Sequence, residues 1–202
     1  MGRPKEHDEA TRERLLHAAE NLSATKGWEA VTVRAVADAA ATSTRAVYAL
    51  FGSKEGLEQA LHQAMFTRLR DLERGRRRCE DPRADLVELA MAYRRWAVER
   101  PERYALAMHG FVGKGARSRS EEGLVVSREA LDELVQAVRR CHEAGLLVVD
   151  PEDVVIQLRA VVHGLAEFEN LEILGPDPER HWRAVISAVL DGYLREEPAA
   201  AA

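Results

Sequence analysis

Residues 32–57, TVRAVADAAATSTRAVYALFGSKEGL, contain the pattern that decides the fold of this chain. Apolar residues recur at helical spacing on both sides of a short segment of small and hydroxyl-bearing residues. They are Val33, Val36 and Ala37 before the segment and Ala46, Val47 and Phe51 after it. The segment, residues 40–44, supplies Ser and Thr side chains that can cap a helix start. The stretch therefore predicts two short helices joined by a tight turn, with a third helix beginning near Ser53.

The free face of the second helix is predicted to carry hydrogen-bonding side chains in place of the Lys and Glu mixture of a solvated face. These side chains are Thr42, Thr44, Arg45 and Tyr48. A short helix that follows a tight turn and presents hydrogen-bond donors matches the way in which a helix-turn-helix enters the major groove of DNA. We therefore predict a DNA-reading unit over residues 32–51.

The chain as a whole is acidic, with a formal net charge of −5. This value looks unfavourable for a DNA-binding protein, but only the face at the duplex has to be basic. Between residues 32 and 54 the ionisable side chains are Arg34, Asp38, Arg45 and Lys54, so the reading unit is locally positive. Because the acidic excess lies mostly elsewhere, the composition permits DNA binding.

Several classes of protein are disfavoured by what the sequence lacks. No run is long and apolar enough to span a bilayer, and the N-terminus lacks the apolar core of a signal peptide, so we expect a cytoplasmic protein that does not bind membranes. Cys79 and Cys141 have no second ligand at metal-binding spacing, so both are predicted to be reduced and structural. No nucleophile elbow, phosphate-binding loop, dinucleotide fingerprint or zinc-binding helix motif is present. We therefore expect no catalytic residues, no metal and no cofactor.

The opening stretch resembles the reading unit of the TetR (tetracycline-repressor-like) regulators. The pattern of that family runs from a Thr through Ile-Ala, Ala-Gly-Val-Ser, a Tyr and a Phe to Ser-Lys-Glu and a Leu. The matching residues here are Thr32, Val36, Ala37, Ala40, Ser43, Ala46, Val47, Tyr48, Phe51, Ser53, Lys54, Glu55 and Leu57. The resemblance covers residues 9–69, and so many positions at fixed spacing are far more specific than one short motif.

Three positions depart from the family pattern. The glycine of the turn is replaced by Ala41, so the turn is predicted either to avoid positive φ or to tolerate modest strain. A small residue is replaced by Arg45, on the reading face. The His or Tyr that often precedes the Phe is replaced by Leu50, so one phosphate contact that the family often makes is expected to be absent. None of these changes is expected to alter the fold.

The rest of the chain is predicted to be helical, with Pro at or near several helix starts. The predicted helices are residues 8–26, 33–40, 43–51, 53–74, 82–99, 101–110, 122–144, 151–174 and 178–195. No segment alternates convincingly as a strand, so the predicted fold is all-α. It consists of a three-helix helix-turn-helix head at residues 9–69, linked by a long helix to a helical ligand-binding and dimerisation body at residues 70–198.

Two basic segments outside the reading unit allow alternative interpretations. Residues 2–5, which include Arg3 and Lys5, either form an arm that contacts phosphates or the minor groove or form a tail without a specific role. The arginine cluster at residues 76–78 either contacts DNA or forms a solvated loop, and its acidic neighbours Glu80 and Asp81 favour the solvated loop.

The last two predicted helices carry uninterrupted apolar stripes. Two such helices per chain could pair with their symmetry mates in a four-helix bundle. The TetR resemblance implies this arrangement, since those regulators dimerise through their final helices; the alternative is that the stripes fill the core of the monomer. The predicted dimer-interface residues are Val161, Gly164, Leu165, Trp182, Val185, Ile186, Val189, Leu190 and Tyr193.

Residues 93–96, 101–104 and 162–165 resemble a C-terminal domain of some TetR regulators that is marked by a His-Gly pair. Aromatic and Met side chains with one or two polar groups suit a site for an apolar ligand. The residues that could line such a pocket are Met65, Leu69, Tyr93, Trp96, Tyr104, Met108, Phe111, His163 and Phe168. Packing in the core is the alternative for each of them, and His163 could be a hydrogen-bonded core histidine.

These observations predict a homodimeric transcriptional repressor that binds a palindromic operator in double-stranded DNA and responds to a small apolar or amphipathic effector. The resemblance implies base contacts from Thr42, Thr44 and Arg45. It also implies phosphate contacts from Thr32, Arg34, Tyr48 and Lys54, and it places Ser43 at the same interface. Two alternatives are a helical module regulated by a protein partner and a helical enzyme.

Overall fold

The computed structural model describes residues 5–109 and 131–193, without the side chains of residues 5–8 and 109. Nine α-helices and one short 3-10 helix account for most of these described residues. They are α1 (Lys5–Lys26), the 3-10 helix (Trp28–Ala30), α2 (Val33–Ala39), α3 (Thr44–Phe51), α4 (Lys54–Gly75), α5 (Pro82–Glu99), α6 (Pro101–His109), α7 (Asp132–Glu143), α8 (Pro151–Asn170) and α9 (Pro178–Tyr193). Because no β-strand occurs in these two ranges, the predicted all-α fold is confirmed. None of the described helices is both long and apolar enough to cross a bilayer.

The helix starts follow from side chains that cap them. Thr32 accepts a hydrogen bond from the backbone N–H of Ala35 at 3.1 Å, and Ser53 accepts one from Gly56 at 3.0 Å. Asp81 and Asp150 do the same before α5 and α8, and each is followed by a proline at the first helical position. Proline is tolerated there because its missing N–H would have no partner within the helix. These are the starts that the sequence pattern predicted.

Two helix boundaries differ from the prediction. α1 begins at Lys5 rather than at residue 8, so Lys5 belongs to the helix and not to an arm that precedes it. α8 ends at Asn170 rather than at residue 174, because Glu172 adopts a left-handed conformation with φ of 59°. Hydrogen bonds from Glu172 N to Glu169 O and from Ile173 N to Phe168 O then close a Schellman motif. Residues 110, 122–130 and 194–195 of the predicted helices lie outside the described residues.

The chain divides into two compact units. The described part of the first unit, which we call the head, consists of residues 5–68 and residues 102–109, so it includes most of α6. The described part of the second unit, which we call the body, consists of residues 69–101 and residues 131–193. The predicted domain boundary at residues 69 and 70 divides the chain by function, and it stays a prediction.

The core of the head forms where α1 packs against α2 and α3. Leu15, Val36, Val47 and Leu61 are fully buried there. In the body, α5 packs against α7, α8 and α9. The largest fully buried side chain of the body is Trp182, on α9. Burial of apolar side chains at helical spacing therefore accounts for both cores.

The sequence favoured a solvated loop for the arginine cluster at residues 76–78, and the segment is a loop in which Arg77 and Arg78 are exposed but Arg76 is not. The side chain of Arg76 is buried in the body and donates from Nη2 to Oδ2 of the fully buried Asp85 at 3.1 Å. Arg78 donates from Nη2 to Oε2 of the buried Glu133 at 3.0 Å. Arg140 also pairs with Asp85. For Arg76 the prediction was wrong because its partner Asp85 lies in the first turn of α5, and the sequence pattern does not show how α5 packs against the connector.

Both cysteines are free thiols, as predicted. Cys141 is fully buried on α7, and this burial raises the pKa of its thiol to about 11. Cys79 is half-buried in the connector between α4 and α5, where its backbone N–H donates to Asp85 Oδ1 at 3.0 Å. Within the described ranges, no cluster of His, Cys, Asp and Glu has the composition and spacing to hold a metal ion.

Candidate nucleic-acid interface

The turn between α2 and α3 is a Schellman motif. The N–H of Ala41 donates to Asp38 O at 3.2 Å, and the N–H of Thr42 donates to Ala37 O at 2.9 Å. Ala41 has a φ of 52°, a left-handed conformation that costs a non-glycine residue roughly 1–2 kcal/mol. Of the two outcomes predicted for this position, the turn therefore shows strain rather than avoidance of positive φ. The motif fixes the angle at which α3 leaves the turn.

Both ends of α3 are also fixed by hydrogen bonds. Ser43 caps the first turn, where its hydroxyl oxygen accepts from the N–H of Ala46 at 3.3 Å. Gly52 ends the helix with a φ of 75°, and its N–H donates to Tyr48 O at 2.9 Å. Because the Ser43 hydroxyl accepts from the backbone, its own hydrogen can still be donated to an outside group. α3 is thus a short helix of defined length and direction.

The outer face of α3 is polar and accessible. Thr44, Arg45 and Tyr48 are exposed, and Thr42 in the preceding turn is half-buried. The Tyr48 side chain is 53% exposed, which is unusual for an aromatic residue beside a core. Arg45 makes no ion pair or hydrogen bond with any residue in the described ranges. Val47 on the opposite face is fully buried, so α3 is held by one face and presents the other.

Three more predicted contact residues lie at the N-terminal ends of α2 and α4. Thr32 caps α2, and Arg34 in its first turn is almost fully exposed, with Nε 4.0 Å from Asp38 Oδ2. Lys54 begins α4 and lies 3.7 Å from Glu58, whose side chain is buried. An exposed pair such as that of Arg34 contributes little to stability. The guanidinium of Arg34 is therefore available to an external phosphate at small cost.

α3 is further supported from α1. The guanidinium of Arg12 lies over the ring of Phe51, 5.7 Å from its centroid, in a cation–π contact. The sequence did not single out Arg12, since the resemblance does not involve this position. Among the predicted contacts in the N-terminal segment, Arg3 lies outside the described residues, and Lys5 is placed only as a backbone position of α1.

The residues proposed to line an effector pocket are distributed between the head and the body. Met65 and Tyr104 are buried in the head, where Met108 is half-buried. The body holds Leu69, Tyr93, Trp96, His163 and Phe168, and Phe111 lies outside the described residues. Phe168 is 49% exposed, so it does not line the interior of the body. The periodicity of α8 placed it correctly on a helix but could not distinguish the inner from the outer face.

Within the body, three of these side chains form one cluster. The hydroxyl of Tyr93 is hydrogen-bonded to Nδ1 of His163 at 2.7 Å, and the two rings meet edge to face. The rings of Tyr93 and Trp96 lie 5.5 Å apart between centroids. Burial and the nearby Arg159 lower the pKa of His163, which keeps its imidazole neutral at neutral pH. The cluster therefore combines aromatic surface with an uncharged polar group.

Four of the predicted dimer-interface residues belong to the core of the body instead. Leu165, Trp182, Ile186 and Leu190 are all buried within the single chain. The prediction was wrong for them because the apolar residues of α8 and α9 cover two faces of each helix, and this inner face packs against α5. The remaining predicted residues, Val161, Gly164, Val185, Val189 and Tyr193, are exposed or half-buried.

The outer faces of α8 and α9 carry apolar and small residues, three of which are predicted interface residues, and we call this set the free stripe. On α8 they recur every four residues, and on α9 every three or four. The free stripe consists of Ile156, Ala160, Gly164 and Phe168 on α8 and Val185, Val189 and Gly192 on α9. A Cβ atom added at Gly164 or Gly192 would meet no atom within 4 Å. The packing of the single chain thus gives no reason for a glycine at either position.

Comparisons with known proteins agree with this architecture. Residues 15–61 match the family described as bacterial regulatory proteins, tetR family, and residues 86–189 match the tetracyclin repressor-like C-terminal domain. The second match alone covers more than half of the chain. No curated protein sequence is significantly similar to this one.

Several solved structures share the fold. A protein with unknown function from Rhodococcus sp. RHA1 has a TM-score of 0.79 at 24% identity, over 92% of this chain and 95% of that one. The fatty acid degradation regulator FadR from Bacillus halodurans has a TM-score of 0.77 at 16% identity, over 89% and 98%. The TetR family transcriptional regulator PfmR from Thermus thermophilus has a TM-score of 0.68 at 23% identity, over 88% and 97%. At such identities the likeness shows the fold alone.

Proposed function

This chain belongs to the TetR family of DNA-binding transcriptional regulators, and from that premise we propose that it is a homodimeric repressor that reads a palindromic operator and releases it when a small effector binds. The observation that carries the proposal is the outer face of α3. It is polar, exposed and held at a fixed angle by two hydrogen-bonded turns. The hydrogen-bond donors on this face can bind acceptors on another molecule.

The roles at the duplex follow from position. Thr42, Thr44 and Arg45 stand at the N-terminal end of α3, which is the end of a recognition helix that reaches base edges. Arg45 is the strongest candidate for base reading, because a guanidinium can pair with both acceptors of a guanine. Thr32, Arg34, Ser43, Tyr48 and Lys54 lie at the helix starts and along the edge of α3, and we assign them to phosphates.

The free stripe supports dimerisation. A single chain would leave this apolar surface in water, and its exposed glycines weaken their helices by roughly 0.5–1 kcal/mol each relative to alanine. A close partner backbone would explain both features, because glycine lets two helices approach and burial stabilises the apolar residues. We propose that α8 and α9 of two chains form a four-helix bundle through the free stripe.

The effector is proposed to be small and apolar or amphipathic. The cluster of Tyr93, Trp96 and His163 supports this assignment, since aromatic surface with one neutral polar group suits such a ligand. The effector would act by shifting the head between orientations that fit the operator well and poorly. Because the protein would bind genomic DNA, we propose that it acts in the cytoplasm. Regulation by release of DNA requires no catalytic step.

The test of the proposed reading is selection of bound DNA from a random pool. We expect enrichment of one sequence with its inverted copy at a fixed centre-to-centre distance of about one helical turn or a multiple of it. Enrichment of a single unrepeated motif would contradict the dimeric reading. If no sequence is retained even at low salt, the DNA-binding assignment itself fails and the alternatives of a protein-regulated module or an enzyme return.

The test of the dimer uses two substitutions in the free stripe and one outside it. Gly164→Leu adds a bulky side chain where we expect close contact, and Val185→Glu adds a charge. Both variants are expected to sediment as folded monomers. Val149 is as exposed as Val185 but lies outside the stripe, so Val149→Glu is the matched control and should remain dimeric. Dimers for all three variants would show that the free stripe is not the interface.

A further inference from the structure

The head contains one buried carboxylate that is held by two arginines from different helices. The side chain of Glu20 on α1 is only 2% exposed. Its Oε1 pairs with Arg68 on α4, and its Oε2 lies 3.0 Å from Nη2 of Arg103 on α6. Both arginines are partly exposed, so the carboxylate alone is fully withdrawn from water. No motif in the sequence pointed to this arrangement.

Stability alone does not account for a glutamate at this position. The neighbouring buried residues of α1 are apolar, among them Leu15, Leu16 and Ala19. An apolar residue at position 20 would continue that face, and replacing buried ion pairs by apolar residues is often neutral or stabilising. A buried carboxylate, in contrast, tolerates few geometries, because it stays favourable only while its partners remain in place. Glu20 therefore restricts where α4 and α6 can lie against α1.

The two arginines occupy special places along the chain. Arg68 is the residue of α4 after which the chain passes from the head into the body. Arg103 is the second residue of the head after the chain returns from the body at residue 102. One passage between the two units thus begins at a residue that pairs with Glu20, and a second ends next to one. One buried charge can fix both of them to α1.

From this arrangement we propose that Glu20 is a positioning residue, which with Arg68 and Arg103 ties both chain connections to α1 and so sets the orientation in which each protomer presents α3. The inference rests on the proposed dimeric reading of a palindrome. Glu20 does not contact DNA in this role, and it acts through the placement of the reading face.

This role has a specific consequence for binding. A single head needs only its own α3 to bind a half-site. A dimer gains more, because binding of the first half-site raises the effective concentration of the second head at its target. That gain depends on the separation and orientation of the two heads. Loss of the Glu20 contacts is therefore expected to weaken binding to the full operator and to leave binding to a half-site unchanged.

The experiment measures both affinities for the full-length protein and its variants. The DNA probes are the selected palindrome, one isolated half-site, and palindromes whose half-sites are moved apart by about half a helical turn, roughly 5 base pairs. The variants are Arg103→Met and Glu20→Gln. Arg103→Met keeps an unbranched chain of similar length, and it serves as the main variant if Glu20→Gln proves unstable.

The expected result for Arg103→Met is a loss of about tenfold or more in affinity for the palindrome, the scale of a typical coupling between two sites. Half-site affinity should be unchanged, and the preference for one half-site separation should diminish. Arg103→Lys keeps a cation near Glu20 and should restore part of the preference. A purely structural role would lower both affinities together, because an unfolded head cannot bind a half-site either.

The matched control is Arg78→Met, which removes an arginine from Glu133, another buried carboxylate, but within the body. This variant should keep the separation preference of the original protein. If the original protein itself shows no advantage for the palindrome over the half-site, the proposed function fails. If that advantage exists and Arg103→Met retains all of it, the role proposed for Glu20 is wrong.

Discussion

The head and the body present opposite kinds of surface. The head offers the polar outer face of α3, with Arg45 and Tyr48 exposed, whereas the body offers the free stripe of apolar and small residues. A polar face gains specificity from hydrogen bonds to base edges, and hydrogen bonds to phosphates position it. An apolar face gains free energy from burial and needs only a complementary shape. The contrast fits the proposal that the head binds DNA and that the body binds a second chain.

Their interiors differ as well. In the head, Glu20 is bound by Arg68 and Arg103. In the body, Glu73 is buried, and the pKa of its carboxyl is raised to about 8. Desolvation is the main cause of this shift, with repulsion from Glu133 second and attraction by Arg76 opposing both. The head thus orients a buried carboxylate between two arginines, whereas Glu73 in the body is a carboxyl that keeps its proton at neutral pH.

The largest expected effect is on stability, and it comes from comparing substitutions on the inner and outer faces of α9. Trp182 is fully buried, and Trp182→Ala should destabilise the protein by about 3–5 kcal/mol through lost burial and the cavity left behind. Val185, three residues later, is exposed in the single chain, so Val185→Ala should change the free energy of unfolding of a dilute monomer by less than about 0.5 kcal/mol. Urea denaturation of both variants measures the difference. Equal losses would mean that α9 has no distinct outer face.

The second prediction concerns pH and the body. Between pH 4.5 and about 8, folded Glu73 keeps a proton that the unfolded chain releases. The stability contributed by this group therefore falls as pH rises through that window, by up to about 1.4 kcal/mol per pH unit. Across this window the free energy of unfolding of the original protein should fall relative to that of Glu73→Gln. Outside the window the difference between the two proteins should stay constant. Denaturation at a series of pH values tests this, with the exposed Glu143→Gln as control.

The third prediction concerns the head and DNA. Arg45→Ala is expected to reduce operator affinity by about 1–3 kcal/mol and to relax the preference at one base position, because a base-reading guanidinium is lost. Arg34→Ala should instead weaken all sequences to a similar degree and reduce the salt dependence of binding, as a phosphate contact would. Titration of both variants against the operator and its single-base variants distinguishes the two roles. Uniform weakening by Arg45→Ala would assign Arg45 to a phosphate.

The smallest expected effect is also on stability, and it comes from substitutions at one turn in each unit. Ala41 in the head and Glu172 in the body both hold the left-handed position of a Schellman motif, with φ of 52° and 59°. Replacing either by glycine should raise the free energy of unfolding by up to about 1 kcal/mol, because glycine adopts this conformation without strain. Ala35→Gly, in the regular part of α2, should have the opposite sign. A loss of stability in Ala41→Gly would show that the turn is not strained.

The sequence was sufficient for features set by local chemistry. The helix starts at Thr32, Ser53 and Asp150 were predicted because a capping side chain acts on its own next residues. The reading face of α3 was predicted for the same reason, since a helix of eight residues has one inner and one outer face. Its DNA contacts stay predictions, as do the effector pocket and the dimer.

The features that were missed depend on contacts between residues distant in the chain. Arg76 was expected to be solvated because its partner Asp85 becomes a neighbour only when α5 packs against the connector. The contacts of Glu20 were not predicted, since Arg103 lies far along the chain. The stripes of α8 and α9 were recognised, but periodicity gives the apolar faces of a helix without saying which of them the chain covers itself. Trp182 was therefore assigned to the interface, and Ile156 was overlooked.

The different burial of the two cysteines provides a chemical handle. Only a thiolate reacts rapidly with maleimides. Cys141 is protected because it is fully buried and because its pKa of about 11 keeps it a thiol at neutral pH. Cys79 is the only other thiol in the sequence, and it is half-buried in the connector that follows α4. A spin label should therefore attach to Cys79 without any engineering of the chain. A dimer would then carry one label per protomer, and the distance between the two labels would report directly on how operator and effector move the protomers.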